Sequence, residues 1–187
     1  MDFLRRFVTF CRGFTRQHDS ISESHATSSA HDPYEAGPIS NTERLSRFIF
    51  DQSAFTTSTG RINFRQFLPP RSGSHTEEVS VMRTETLAED MVWTLGQETV
   101  AEATGRLVRA RGDFEAPAAK ASRAGSWQLD VQPSVPPPRH ALVVGWPPVS
   151  EREARKSLAQ QLRQGVRLVV RKRSAARSQS RTEGNDR

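Results

Sequence analysis

The sequence predicts an α+β domain: a mixed sheet of about five to seven strands, two principal helices and a C-terminal βαβ unit. Three observations lead there. Several short stretches alternate polar and apolar residues with the period of a strand buried on one face. Two longer stretches place apolar residues four apart, each behind a hydroxyl residue and a glutamate at capping-box spacing. Finally, an apolar run fenced by prolines, residues 140–146, precedes the second of these stretches, and another apolar run follows at 166–170. A strand, a crossover helix and a strand of this length most simply form a right-handed parallel unit.

Taken in order, residues 45–50 read as a strand with Phe48 and Phe50 on one face and Arg47 and Ile49 on the other. Residues 51–60, rich in Ser and Thr, form a turn or loop, and Arg61-Ile62-Asn63-Phe64-Arg65 alternates as a second strand. Pro69 and Pro70 end it, because proline cannot donate to a ladder. Residues 78–83 alternate again. Thr86 and Glu89 then open a helix in which Leu87, Met91 and Leu95 share a face, with Trp93 off that stripe. Gly96 ends this helix or passes it to a short second one at 97–103. Leu107-Val108 marks a strand within 106–114, residues 117–125 are ambiguous, and 127–131 alternate as a further strand. Pro133 and Pro136-Pro137-Pro138 make a stiff connector. His140 opens the strand at 140–146. Ser150 and Glu153 cap the last helix, in which Ala154, Leu158 and Leu162 fall four apart, and Gly165 stops it.

The chain has 187 residues, enough for one domain plus tails. Hydrophobic residues make up 35% and the mean hydropathy is −0.64, which points to a polar, poorly ordered fraction beside a normal core. The expected organisation is a basic amphipathic helix at 1–16, a disordered linker at 17–42, a single α+β domain at 43–170 and a basic disordered tail at 171–187. The pI of about 10.6 suggests nucleic-acid binding, but the charge lies at the ends. Arg5, Arg6, Arg12 and Arg16 against Asp2 give the front +3, and six basic against two acidic residues give 171–187 +4. The remaining 17–170 net −1. An attractive field needs clustered charge, which whole-chain pI does not locate.

Phe3, Phe7, Phe10 and Phe14 share a helical face flanked by arginines, which suits a partner or membrane surface, an organelle transit peptide, an upstream extension or a terminal helix docked on its own domain. Cys11, the single cysteine, excludes an intramolecular disulfide and lies on that apolar face. No apolar run approaches the length of a membrane span, and a cytoplasmic location is expected. His18, His25 and His31 are spaced along the linker without converging partners, so no metal site is expected. Isolated glycines give neither a P-loop nor a dinucleotide fingerprint, so no cofactor is expected.

The best catalytic candidates are Arg139 and His140, at the entry of a strand expected to be central. The imidazole could serve as a general acid–base beside a guanidinium holding an anion, with Glu77, Glu78 or Asp130 as orienting groups. Arg171, Lys172, Arg173, Arg177 and Arg181 form an anion tether without aromatics, suited to neutralising phosphates or an acidic protein without reading sequence. The segments at 45–50, Phe67-Leu68-Pro69-Pro70, Ser80-Val81-Met82-Arg83 and Pro137-Pro138-Arg139-His140-Ala141 with Gly145-Trp146-Pro147 resemble a small uncharacterised bacterial family spanning roughly 43–170. The resemblance implies a bacterial single domain and carries no activity or site residue. The expectation for function is a non-enzymatic interaction module with basic termini as electrostatic tethers; alternatives are an enzyme acting on an anionic substrate through Arg139 and His140, and a structural subunit of a larger assembly.

Overall fold

The computed structural model describes residues 37–101, 105–134 and 137–171; the amphipathic segment at 1–16, most of the 17–42 linker and the tail beyond Arg171 lie outside the described residues. The elements in chain order are β1 (Arg44–Ile49), β2 (Phe55–Thr56), β3 (Arg61–Ile62), β4 (Val79–Arg83), α1 (Glu89–Leu95), β5 (Ala110–Glu115) and α2 (Ala116–Lys120). They continue as β6 (Arg123–Ala124), β7 (Trp127–Gln128), β8 (Asp130–Pro133), β9 (His140–Val144), α3 (Arg152–Gln164) and β10 (Arg167–Val170). Six strands form one sheet in the order β10–β5–β1–β4–β9–β8, while β2–β3 and β6–β7 are small hairpins.

The fold is α+β, with a strand number inside the expected range. Its sheet, however, is antiparallel at every pairing rather than mixed. The C-terminal β9–α3–β10 crossover does join parallel strands, because four antiparallel steps separate them, but the two are not neighbours. Strands β9 and β10 flank α3 in sequence, but β4, β1 and β5 lie between them in the sheet. The connection carries the chain to the far edge instead of to a neighbouring slot, so the apolar run of β9 reflects its buried inner face and not a parallel partner.

The two faces of β1 define two cores. Leu45 and Ile49 join Val81, Phe114, Trp146, Leu158 and Leu162 on the face covered by α3, α2 and a 3₁₀ turn, Phe64–Phe67. Phe48 joins Met82, Val92, Trp93 and Val108 on the face covered by α1 and the π-helical turn Gly96–Ala101. Each fully buried large apolar side chain stabilises the fold by roughly 1.5–3 kcal/mol, so the larger cluster dominates. The described end of the linker is attached to it: Ile39 packs on this core, and the carbonyls of Gly37 and Pro38 accept from Arg83.

Several local expectations are corrected. Asn63 caps the 3₁₀ turn by accepting from the Arg65 N–H, which cuts the strand at 61–65 to two residues. Neither capping box forms: α1 starts after Ala88 and α3 after Glu151, without a side-chain cap bond at either. On α1, Met91 is 53% exposed while Trp93 is 9% exposed, so the buried stripe is rotated toward Val92 and Trp93. Gly96 meets the expectation instead: it is the C-cap of α1 at φ −64° and passes the chain into the π-helical turn Gly96–Ala101; a Cβ there would lie 2.5 Å from the Phe48 ring, so glycine permits close approach. Ladder pairing in the 106–114 strand begins at Ala110, leaving Leu107 exposed and Val108 buried. The 127–131 strand is divided between β7 and β8 around buried Leu129, and β9 ends at Val144, two residues before buried Trp146.

Candidate functional site

Strand register, rather than sequence proximity, builds the surroundings of His140. Met82 on β4 pairs with His140 on β9, which brings Ser80 diagonally beneath the imidazole. Ser80 Oγ lies 2.6 Å from His140 Nε2. Nδ1 is buried and has no hydrogen-bond partner among the described residues. Burial holds the imidazole below its ordinary pKa, with the charges of Arg47 and His75 adding to the effect; the Ser134 backbone and the Glu78 charge oppose it. The ring is therefore neutral near pH 7. In the tautomer with the proton on Nδ1, Nε2 accepts from the Ser80 hydroxyl, a serine–histidine contact of the kind that activates a nucleophile.

Arg139, next to His140 in the chain, makes a contact of its own. It adopts φ 62°, and its guanidinium donates to Thr86 Oγ1 at 3.2 Å. A non-glycine residue in the left-handed region costs of order 1 kcal/mol. Its own carbonyl accepts from the Arg83 N–H, which aligns the start of β9 with the end of β4. Of the expected orienting carboxylates, Glu78 is bonded to His75, Asp130 lies 3.9 Å from Lys120, and Glu77 acts on Arg155. Only Glu78 reaches His140, and then through its field alone.

Other buried charges are bonded within the fold. Arg111, 1% exposed, donates through Nη1 and Nη2 to Glu89 at 2.9 and 2.6 Å and through Nε to Asp113 at 2.8 Å, with its guanidinium 4.8 Å from the Trp93 ring centre. Ser46 donates to the same Asp113 oxygen at 2.7 Å and meets Thr84 at 2.8 Å. Burial pushes the Arg111 pKa down, but its bonds to Glu89 and Asp113 outweigh that and raise it. Arg155, 5% exposed, donates to the carbonyls of Thr76, Pro147, Pro69 and Pro70 at 2.8–3.3 Å. Arg83 closes on Glu43. These arginines are structural fasteners, each holding segments distant in sequence.

A groove of about 480 Å³ lies elsewhere, between the β2–β3 hairpin and the end of α3. Ala54, Phe55, Ile62 and Phe64 give it an apolar floor; Arg61 stands on one wall, and Gln160, Arg163 and Gln164 form the other. Of the expected tether, Arg171 alone is described: exposed, its N–H on the Arg109 carbonyl and its guanidinium 3.4 Å from Gln97 Oε1. Lys172, Arg173, Arg177 and Arg181 lie outside the described residues, as do Cys11 and the linker histidines.

Among the described residues no His, Cys, Asp and Glu cluster could hold a metal ion, and no helix is long and apolar enough to cross a membrane. Sequence reasoning missed Ser80, because a partner 60 positions away is visible only through β4–β9 register. It also missed Arg61 and Arg163, which belong to elements 100 residues apart and show no shared pattern. No family model, no curated protein and no solved structure matches the chain.

Proposed function

We propose that this protein is a non-enzymatic interaction module whose domain presents the basic segment 171–187 to a polyanionic partner, an acidic protein or a nucleic acid. The observation that supports this reading is a division of charge. Within the domain the buried arginines are consumed by Glu89, Asp113, Glu43 and backbone carbonyls. Past β10 the chain leaves the sheet at exposed Arg171 and continues into a sequence with six basic and two acidic residues. Such a sequence neutralises phosphates or carboxylates without reading their order, and the basic residues at 1–16 offer a second tether of the same sign.

The test is a full-length variant in which Arg171, Lys172, Arg173, Arg177 and Arg181 are all replaced by Gln. Binding to a DNA duplex, a single-stranded RNA and polyglutamate is followed by fluorescence anisotropy between 50 and 200 mM salt. The wild type binds with an affinity that falls steeply with salt, and the variant loses up to about four or five units of the log–log slope on DNA. Equal binding by the variant would sink the tether reading.

A second reading is favoured by one contact, the 2.6 Å approach of Ser80 Oγ to His140 Nε2. Here His140 is the base of an enzyme acting on an anionic substrate, with Arg139 as the anion-holding partner. A fluorophosphonate probe should then label the wild type and leave both Ser80→Ala and His140→Gln unlabelled. Absence of labelling in the wild type counts against this role.

A further inference from the structure

The groove between the β2–β3 hairpin and α3 combines features that no structural role absorbs. Its floor is apolar and its two cations come from opposite walls. Arg61 and Arg163 make no side-chain hydrogen bond or ion pair among the described residues, and no carboxylate lines the groove. The remaining lining is neutral and hydrogen-bonding: Ser53, Thr56, Asn63, Gln160 and Gln164. The negative end of α3 is nearby, but its dipole amounts to roughly half a charge, which Arg163 alone exceeds. The ligand that fits is an extended segment with an apolar side chain for the floor and a carboxylate on either side of it.

The chain itself contains such a segment. Residues 17–36 carry Asp19, Glu23, Asp32 and Glu35 and no Lys or Arg. In extended backbone, alternate side chains share a face. An extended backbone over 19–23 would turn Asp19, Ile21 and Glu23 the same way, with an apolar residue between two carboxylates about 13 Å apart. The face pattern selects this stretch from the four acids, because Asp32 and Glu35 fall on opposite faces of an extended backbone, and its reach is ample. Gly37 is fixed beside Arg83, which pairs with Leu45 at the start of β1, whereas the groove begins at Ser53 beyond its end. The six residues of β1 span about 20 Å. Glu23, fourteen residues away, can extend to about 45 Å. We infer that the groove is a docking site for an acidic segment, and that residues 19–23 of this chain are its occupant. The inference is independent of the C-terminal tether.

Hydrogen exchange on the full-length chain tests it. In the wild type, amides at 19–23 exchange more slowly than those at 26–30, and 0.5 M salt removes the difference because the pairs are close to solvent. Arg61→Glu combined with Arg163→Glu abolishes the protection, by about tenfold in rate, while urea unfolding of the domain stays that of the wild type. Adding Asp19→Arg and Glu23→Arg to that variant restores it. A wild type whose 19–23 amides exchange at the unprotected rate overturns the proposal, as does protection that survives Arg61→Glu with Arg163→Glu alone. A synthetic peptide of residues 17–25 should bind the Asp19→Asn, Glu23→Gln chain and compete poorly for the wild type. Equal binding to both chains would show the groove vacant in the intact protein and would overturn the choice of occupant.

Discussion

Arg155 should be among the most costly single residues to replace in the domain. It sits on α3 facing inward, and its two terminal nitrogens hold four carbonyls from three separate segments. The bonds to Pro147 and Pro69 are buried, while those to Thr76 and Pro70 lie closer to solvent. Arg155→Met keeps most of the side-chain volume and strands the acceptors. Each buried orphan carbonyl costs about 1–3 kcal/mol, whereas the outer pair can recruit water. Against this, methionine removes the desolvation of a guanidinium whose pKa is already pushed down by burial. The net loss is about 2–4 kcal/mol, a large part of the 5–15 kcal/mol typical of a domain. In urea this lowers the midpoint by roughly 1–2 M at an unchanged m-value. Arg155→Lys keeps the charge and stem but replaces a planar fork by a point donor, and should fall about midway. Circular dichroism in urea gives both numbers. If Arg155→Met unfolded within 0.5 M of the wild type, the four carbonyls would have to be satisfied by water and the fastener role would be wrong.

Three further outcomes follow from the same structure. Gly145 has φ 84°, and a Cβ there would overlap the Gln128 carbonyl; Gly145→Ala should therefore destabilise by at least about 2–3 kcal/mol in the same urea assay, more than Gly125→Ala, which is open. The hydrogen bonds from Arg111 hold the Glu89 carboxyl below its usual 4.5, so its contribution is complete above that pH and is lost as pH falls through the lower folded value. Glu89→Gln should flatten that acid limb and lower stability at pH 7 by roughly 1–2 kcal/mol, discounted for a carboxylate that is 59% exposed. Burial holds His140 below 6.5, so the unfolded chain binds the proton first: stability is full above pH 6.5 and declines from there to the folded value. His140→Gln should remove this component from urea midpoints measured between pH 8 and 5; an unchanged profile would refute the neutral, buried imidazole.

How much of this could be read from residues follows from the range of each interaction. Period-two runs located β1 and β4, because alternation is local and a face is either buried or not, and an apolar run fenced by prolines located β9. Leu158 and Leu162 identified the inner stripe of α3 for the same reason. The Thr86–Glu89 box failed because a tertiary contact outbid the local one: Glu89 turned to buried Arg111, and to Trp93 one turn along, rather than to its own helix start. Strand order was beyond any local pattern. An apolar run such as β9 fits a parallel or an antiparallel neighbour equally well, and nothing within it names β4. The same limit applies to the sites. His140 was visible as a histidine at a strand entry, but Ser80 beneath it, and the pairing of Arg61 with Arg163 across a groove, exist only once distant elements meet.

The strand order has a kinetic consequence. Of the five pairings in the large sheet, only β8–β9 joins strands that are consecutive in the chain; β1 must find β5 and β4, and β10 must find β5. Most of the sheet is thus closed by long loops whose entropy is lost before the contacts form. A domain of this topology folds on the millisecond-to-second scale typical of non-local β proteins, not in microseconds. The β8–β9 hairpin is the natural local nucleus, and β10, whose only partner among the described residues is a strand already paired to β1, is the natural last arrival. Mutations in β10 should speed unfolding while leaving the refolding rate nearly unchanged.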